Sequence, residues 1–317
     1  MNSIHILDIP KPSKVLITGH VNPDGDALGS GLAMKLVLDS LGYSTTVSYD
    51  YLNKISEELK FLPIEYIKTY DSVDSEYDLS IVFDCGDSKR LGRLENIVLE
   101  SKNIYVIDHH LENSFGTHTE IDPNAASTTQ ILYKMFIKEN ISMSPLIATC
   151  LLTGLITDTG RFQYSNTSSE VFDIASALLE LGADLPLITE SVYGSVNSEA
   201  LQLQADVIKR LIIIDEFKLS YSYVLQKDYA KHKTIPEETD FLIDVVRLPK
   251  ETNVAMLLKE QEDGSYKGSL RSRGHIDVQA VASLFNGGGH KAAAGFNTDL
   301  KPDEILNKVS NAIRSQS

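Results

Sequence analysis

The sequence predicts a doubly wound α/β domain with a mostly parallel sheet, followed by a smaller α+β domain with a mixed sheet. Three observations carry this reading. Short apolar runs alternate with helical patterns through the first half, as in βαβ architectures. The clearest runs each end at an acidic or histidine-bearing loop, and open α/β sheets bind ligands beyond the carboxyl ends of their strands. In the second half, strand-like runs group with short helices, without regular alternation. The expected layout is a catalytic domain over residues 1–185, a helical linker over 186–210 and a second domain over 211–317.

The elements follow in order. Residues 14–19 (KVLITG) read as a buried strand. Leu28, Leu32 and Leu36 recur at helical spacing, and Gly42 is a natural stop, so a helix is expected over 28–41. Further strands are expected at 44–49, 79–83 and 104–107, the last two apolar enough to be covered on both faces. Helices are expected near 127–140, 145–156 and 168–181. An amphipathic helix over 199–210 leads into strands at 211–215, 218–225, 253–259 and 266–271, with helices near 237–244, 277–285 and 303–314.

Composition narrows the function. The chain has 317 residues, which suits two domains, and is 42% hydrophobic, enough for sizeable cores. Its two cysteines, Cys85 and Cys150, form no disulfide framework. With no signal-like N-terminus and no apolar run of membrane-spanning length, they point to the cytoplasm. The net charge of −15 argues against a grip on long duplex DNA, which needs many Lys and Arg contacts. An anionic substrate would be small and held by local charges.

The chemistry concentrates at the strand ends. His20-Val-Asn-Pro-Asp24-Gly-Asp26 lies between the first strand and the first helix. Pro23 is expected to keep Asn22 extended, and Gly25 to permit a sharp turn between the two carboxylates. Asp84 ends one strand and Asp108-His109-His110 another, while Asp158 stands where an apolar helix runs into a polar turn. Asp24, Asp26, Asp84 and Asp158 would bring four negative charges together, and without cations their repulsion would raise the carboxylate pKa values. Two divalent ions would balance them. Oxygen-rich ligation with some imidazole suits Mn²⁺, with Mg²⁺ as the alternative, and the lack of thiolates disfavours structural zinc.

These motifs resemble the DHH phosphoesterase superfamily. The resemblance rests on HxxPDGDxxGS, the lone Asp84, the DHH triplet and Asp158, and on the C-terminal segment GSLRSRGHIDVQAVASLFNGGGHKAAAGF, which is similar to the DHH-associated domain. Asn286 stands where relatives often carry a fourth glycine. The layout is most similar to the branch of bifunctional oligoribonucleases and pAp phosphatases (NrnA-type). The resemblance implies that His20, Asp24 and Asp84 hold one ion and that Asp26, Asp84, His109 and Asp158 hold the other, with Asp84 bridging. It places His110, Asp84 and Asp108 in catalysis: His110 toward the substrate phosphate, facing away from His109, and Asp108 either orienting an imidazole or serving as a strand-end carboxylate. It gives substrate binding to Arg271, Ser272, Gly287, Gly288, Gly289 and His290.

The function implied is Mn²⁺-dependent hydrolysis of short single-stranded RNA to 5′-mononucleotides and of 3′-phosphoadenosine 5′-phosphate (pAp). The alternatives are a linear or cyclic dinucleotide phosphodiesterase, an inorganic pyrophosphatase or polyphosphatase, and a non-catalytic nucleotide-binding module. The reading includes no membrane partner and admits a homodimer.

Overall fold

The computed structural model describes residues 5–11, 13–50, 55–110, 115–194 and 196–316. The chain divides into two compact units, residues 1–195 and 196–317.

In the first unit the elements are β1 (Lys14–Gly19), α1 (Gly25–Ser40), β2 (Ser44–Ser48), β3 (Ile67–Lys68), β4 (Leu79–Phe83), α2 (Glu95–Leu99), β5 (Asn103–Asp108), β6 (His118–Ile121), α3 (Thr128–Lys138), α4 (Pro145–Asp158), α5 (Ser169–Glu180) and α6 (Leu185–Thr189). A π-helical turn over Glu190–Gly194 closes the unit. The strands form one parallel sheet in the order β3-β2-β1-β4-β5-β6. The order reverses between β1 and β4, and in this topology the reversal opens a crevice at the strands' carboxyl ends. β1 and β4 are buried almost throughout, because helices cover both faces. One face carries α1, α3 and α4 on Val15, Ile17, Ile81 and Phe83. The other packs Leu16, Val82 and Val106 under Leu91 and Val98.

The pattern missed β6, whose residues are polar and half-buried, and the two-residue β3. It also started α1 three residues late. Asp24 caps that helix by accepting from the Asp26 and Ala27 N–H groups at 3.0 Å each, an N-cap bond that sets the start. Two readings of the loop need correction. Asn22 is left-handed, with φ +53°, where Asn is tolerated better than most residues. Gly25 is the first helical residue and makes no turn; a Cβ there would lie 2.5 Å from Thr157 Oγ1. Gly29 is tighter still, with a Cβ position 2.4 Å from the Cys150 carbonyl oxygen. These glycines let α1 and α4 approach backbone to backbone.

The second unit comprises α7 (Ser198–Lys209), β7 (Ile212–Ile214), β8 (Leu219–Val224), α8 (Gln226–His232), α9 (Leu242–Val246), β9 (Val254–Glu260), β10 (Tyr266–Ser272), α10 (Val278–Ser283), β11 (Gly288–His290), β12 (Ala293–Thr298) and α11 (Pro302–Arg314). Its sheet runs β11-β12-β10-β9-β8-β7, with β8 and β9 parallel and the other neighbours antiparallel. One face packs on α10 and α11 through Leu270, Phe296, Val281 and Ile305. The β8–β9 half of the other face packs on α7 and α9 through Leu203, Val207, Leu242 and Leu257. The segment 186–210, expected as a linker, is therefore divided. Its early part belongs to the first unit, and α7 buries its apolar stripe in the second. Among the described residues no helix is long and apolar enough to cross a membrane.

Gly29→Ala is expected to destabilise the first unit by about 1–3 kcal/mol, the usual cost of overpacking a close contact. A urea titration with an unchanged midpoint would show that the two helices separate at no cost.

Candidate metal centre

The carboxyl ends of β1, β4 and β5 deliver His20, Asp84 and Asp108–His110 to the switch point of the sheet. Asp24 and Asp26 come from the start of α1, and Asp158 from the last turn of α4. Two donor groups result: His20 with Asp24 and Asp84, and Asp26 with His109 and Asp158. In each, one ligating atom per residue lies within 4.8 Å of the others. His20 Nε2 is 3.3 Å from Asp84 Oδ2 and 3.7 Å from Asp24 Oδ2. His109 Nε2 is 3.2 Å from Asp158 Oδ2 and 3.6 Å from Asp84 Oδ1. Asp84 thus reaches both groups with different oxygens, and its Oδ1 is buried and accepts no hydrogen bond. Its backbone is left-handed, φ +52°, a conformation that costs energy for a non-glycine residue and occurs where surroundings enforce it.

The imidazoles are oriented from behind. His20 Nδ1 donates to the Val21 carbonyl at 2.8 Å, and His109 Nδ1 donates to the Ala125 carbonyl at 3.2 Å. A carbonyl can only accept, so Nδ1 carries the proton and Nε2 faces the carboxylates, the arrangement that metal-ligating histidines adopt. Asp26 is clamped by the N-terminus of α3: its Oδ2 and Oδ1 accept from the Thr128 and Thr129 N–H groups at 2.6 and 2.9 Å. Gly154 makes room for it, since a Cβ there would lie 2.6 Å from Asp26 Oδ1. Asn166 ties the Asp158 carbonyl to that of Ala126, at 3.1 and 3.2 Å. Sequence reasoning missed Thr128, Thr129, Gly154 and Asn166. The only local signal was Ser127, which caps α3.

His110 departs from expectation. β5 ends at Asp108, so strand alternation stops there and the two imidazoles do not diverge. Their rings meet edge to face, centroids 4.7 Å apart. His110 Nδ1 donates to Asp108 Oδ1 at 2.7 Å and lies 3.2 Å from Asp84 Oδ1. Asp108 also accepts from the His110 backbone N–H at 3.0 Å, so it holds both the ring and the main chain of His110.

The charge balance follows. Burial, then the neighbouring Asp158 and Asp84 charges, push the Asp26 carboxyl well above its ordinary range. Burial raises Asp158 to about 6, against the lowering effect of His109. Burial would lower all three histidines, but adjacent carboxylates outweigh it: His20 rises well above its usual value, His109 to about 11 and His110 to about 9. For Asp84, burial is outweighed by His110 and His20, which hold it well below the usual carboxylate range. Imidazolium protons therefore act as the counter-charges of the metal-free cluster. The donor set, its buried unsatisfied Asp84 oxygen and the Nε2 orientation fit two divalent cations.

The other predicted residues lie in the second unit. Arg271 is half-buried on β10. Its Nη1 donates to the Leu270 carbonyl at 3.0 Å, and its Nε is buried without a hydrogen-bond partner. Ser272 Oγ donates to the Lys291 carbonyl at 3.3 Å. The glycines form no loose cradle: Gly288–His290 is the edge strand β11, paired with β12. Gly287 donates its N–H to the Ala282 carbonyl, and a Cβ there would meet the Gly295 carbonyl at 2.3 Å. Its role is close packing, whereas the Gly288–His290 stretch is exposed. The pattern missed β11 and β12 because glycine and alanine carry no apolar alternation. Arg161 stacks its guanidinium over the Tyr193 ring, 4.3 Å from the centroid. Cys85 is buried in the apolar core.

Fold and site together define a chain of two units with a candidate carboxylate–histidine metal site at the switch point of a parallel sheet. Comparison with known proteins gives the family. Residues 14–155 match the N-terminal domain of the DHH family, and residues 217–315 match the DHHA1 domain. The chain is 30% identical over 304 residues to a bifunctional oligoribonuclease and PAP phosphatase of Thermus thermophilus, covering 95% of this chain and 90% of that one. It is 28% identical to a cyclic-di-AMP phosphodiesterase of Geobacillus thermodenitrificans, covering 96% of this chain and 48% of the relative. A crystal structure of an exopolyphosphatase-related protein from Bacteroides fragilis superposes with a TM-score of 0.87 at 27% identity, covering 96% and 93% of the two chains. The chain belongs to the DHH family.

Metal loading is expected to release protons at pH 7, because His20 and His109 are protonated in the metal-free cluster and a ligating imidazole must be neutral. Affinity should therefore rise with pH, read by calorimetry in buffers of different ionisation enthalpy. The same protons set a stability window. The raised His110 contributes stability that is full below about 6.5 and lost as pH climbs through about 9. Chelated protein should lose melting temperature across that range, and loaded protein should not. At cation concentrations of ~100 Kd, loading should raise Tm by about 5–10 °C; no shift would remove the cations from this site.

Proposed function

We propose that the chain is a two-metal phosphohydrolase that degrades short single-stranded RNA to 5′-mononucleotides and dephosphorylates pAp, using Mn²⁺. The observation that carries this reading is the pair of donor groups joined through Asp84, whose two oxygens face His20 and His109. His20, Asp24 and Asp84 would hold one cation. Asp26, Asp84, His109 and Asp158 would hold the other. Cations so placed would supply Lewis acidity toward a phosphate oxygen and a more acidic water.

The chain's own residues do the rest. Asp108 fixes the His110 Nδ1 proton, so Nε2 is the ring atom assigned to hydrogen-bond the phosphate or pass a proton to the leaving oxygen. Thr128 and Thr129 hold the Asp26 carboxylate in place, limiting the reorganisation that turnover requires. Arg271, whose Nε lacks a hydrogen-bond partner, is assigned to grip a phosphate, with Ser272, the Gly288–Gly289 backbone and His290 beside it. The substrate class is supported by the Thermus thermophilus relative. A second reading, hydrolysis of linear or cyclic di-AMP, is favoured by the Geobacillus thermodenitrificans relative.

A panel of pAp, RNA di- to pentanucleotides, pApA, cyclic di-AMP and pyrophosphate, each with Mn²⁺, tests the proposal. Release of 5′-mononucleotides and of phosphate from pAp is expected. Turnover confined to the dinucleotides would move the assignment to the second reading, and turnover of pyrophosphate alone would overturn both. Asp84→Asn is expected to reduce kcat by more than about 100-fold, because both donor groups lose a ligand. Arg271→Ala is expected to raise KM more than it lowers kcat; a pure kcat loss would contradict the grip assigned to it.

A further inference from the structure

The second unit has a cationic strip along β10 that extends beyond the residues assigned to the reacting phosphate. Residues directly opposite one another on paired strands share a face of the sheet. On one face, β10 presents Lys267, Ser269 and Arg271. Opposite them lie Asn297, Gly295 and Ala293 on β12, with Gly288 and His290 next on β11. On the other side, Lys267 stands directly opposite Lys259 of β9. Like charges in that position repel. One carboxylate answers both: Asp240 Oδ1 lies 2.7 Å from Lys259 Nζ and 3.7 Å from Lys267 Nζ. Lys259 is 1% exposed and fully engaged, whereas Lys267 is 46% exposed. Lys259 and Lys267 thus share the Asp240 carboxylate, whose charge Arg271 also favours, in a chain whose net charge is −15. The floor beside them is bare. A Cβ on Gly288 would meet nothing within 4 Å, and one on Gly295 would just touch the Gly268 carbonyl at 3.4 Å.

The spacing suggests what the strip takes. At a strand rise of about 3.3 Å per residue, Lys267 and Arg271 are separated by roughly 13 Å along β10, with the Ser269 hydroxyl midway. A single phosphate cannot span that distance, whereas an extended oligoanion with repeating charges can.

We propose that Lys267 is a second phosphate subsite, taking an internucleotide phosphate of an RNA longer than a dinucleotide while Arg271 holds the phosphate at the reacting end. This rests on the nucleotide reading given above and adds to it a length preference. Ser269 and the bare glycine strip let the chain lie flat between the two cations. Lys259, buried on the neighbouring strand directly opposite Lys267, keeps Asp240 engaged so that the Lys267 ammonium is shared with the ligand.

The test uses the full-length protein in excess chelator, so that nothing is cleaved, with 5′-phosphorylated di- and tetra-adenylate carrying a 3′ fluorophore. Lys267→Ala is expected to lower the ratio of tetra- to dinucleotide affinity roughly fivefold, the worth of a partly exposed ion pair. It should also reduce the slope of log K against log salt for the tetranucleotide by about 0.7. Lys267→Arg should restore both. An unchanged ratio and slope, with wild-type melting temperature, would overturn the subsite. If both change as expected while wild-type protein with Mn²⁺ leaves every oligonucleotide intact, the subsite stands and the hydrolase reading fails instead.

Discussion

The first unit depends on one constraint: three carboxylates, Asp26, Asp84 and Asp158, are brought largely out of water beside the exposed Asp24, at the point where the strand order reverses. Such a cluster cannot stay fully ionised without positive charge close by. In the metal-free chain the charge comes from imidazolium protons, which explains why His20, His109 and His110 all hold protons far above their usual range. The same need makes the cluster a cation site. Nε2 of His20 and of His109 carries a proton where a metal would sit, because Nδ1 of each is already committed to a backbone carbonyl. Exchanging protons for cations would relieve the burial penalty.

The helices make that concentration of charge geometrically feasible. Asp26 and Asp158 lie on α1 and α4, and they converge because Gly25, Gly29 and Gly154 remove every side chain that would hold those helices apart. The N-terminus of α3 then meets the Asp26 carboxylate with two backbone N–H groups, adding helix-dipole stabilisation to an anion with no access to water. Packing and electrostatics are one design here: a methyl group on Gly154 would displace the ligand as well as crowd the core.

The second unit treats charge differently. Its sheet has a covered half, under α7 and α9, and a bare half floored by Gly288, Ala293 and Gly295. Cations line the bare half instead of carboxylates. In a strongly acidic chain, a local basic strip is a place where the general repulsion of anions is relieved.

Much of this was legible in the sequence, and the remainder has a physical reason for being hidden. Apolar runs bounded by polar residues marked β1, β4 and β5, because strands covered on both faces must be apolar throughout. The positions of His20, Asp24, Asp26, Asp84, His109 and Asp158 against those runs sufficed to place them at one end of one sheet. Contacts distant in sequence decided what the pattern could not carry. β6, β11 and β12 leave no periodic trace, being polar at an edge or built of glycine and alanine. The left-handed backbone of Asp84, the ring nitrogen that each histidine turns inward and the side-by-side setting of His109 and His110 depend on which carbonyls and carboxylates lie across the crevice. Gly25 was read as a turn former, and its purpose, like that of Gly29, emerged only with α4 in place. The residue types and their order determined that this chain gathers negative charge at the ends of its strands. Tertiary structure decided how that charge is shared, since hydrogen-bond partners and close approaches are set by residues that meet only in the folded chain.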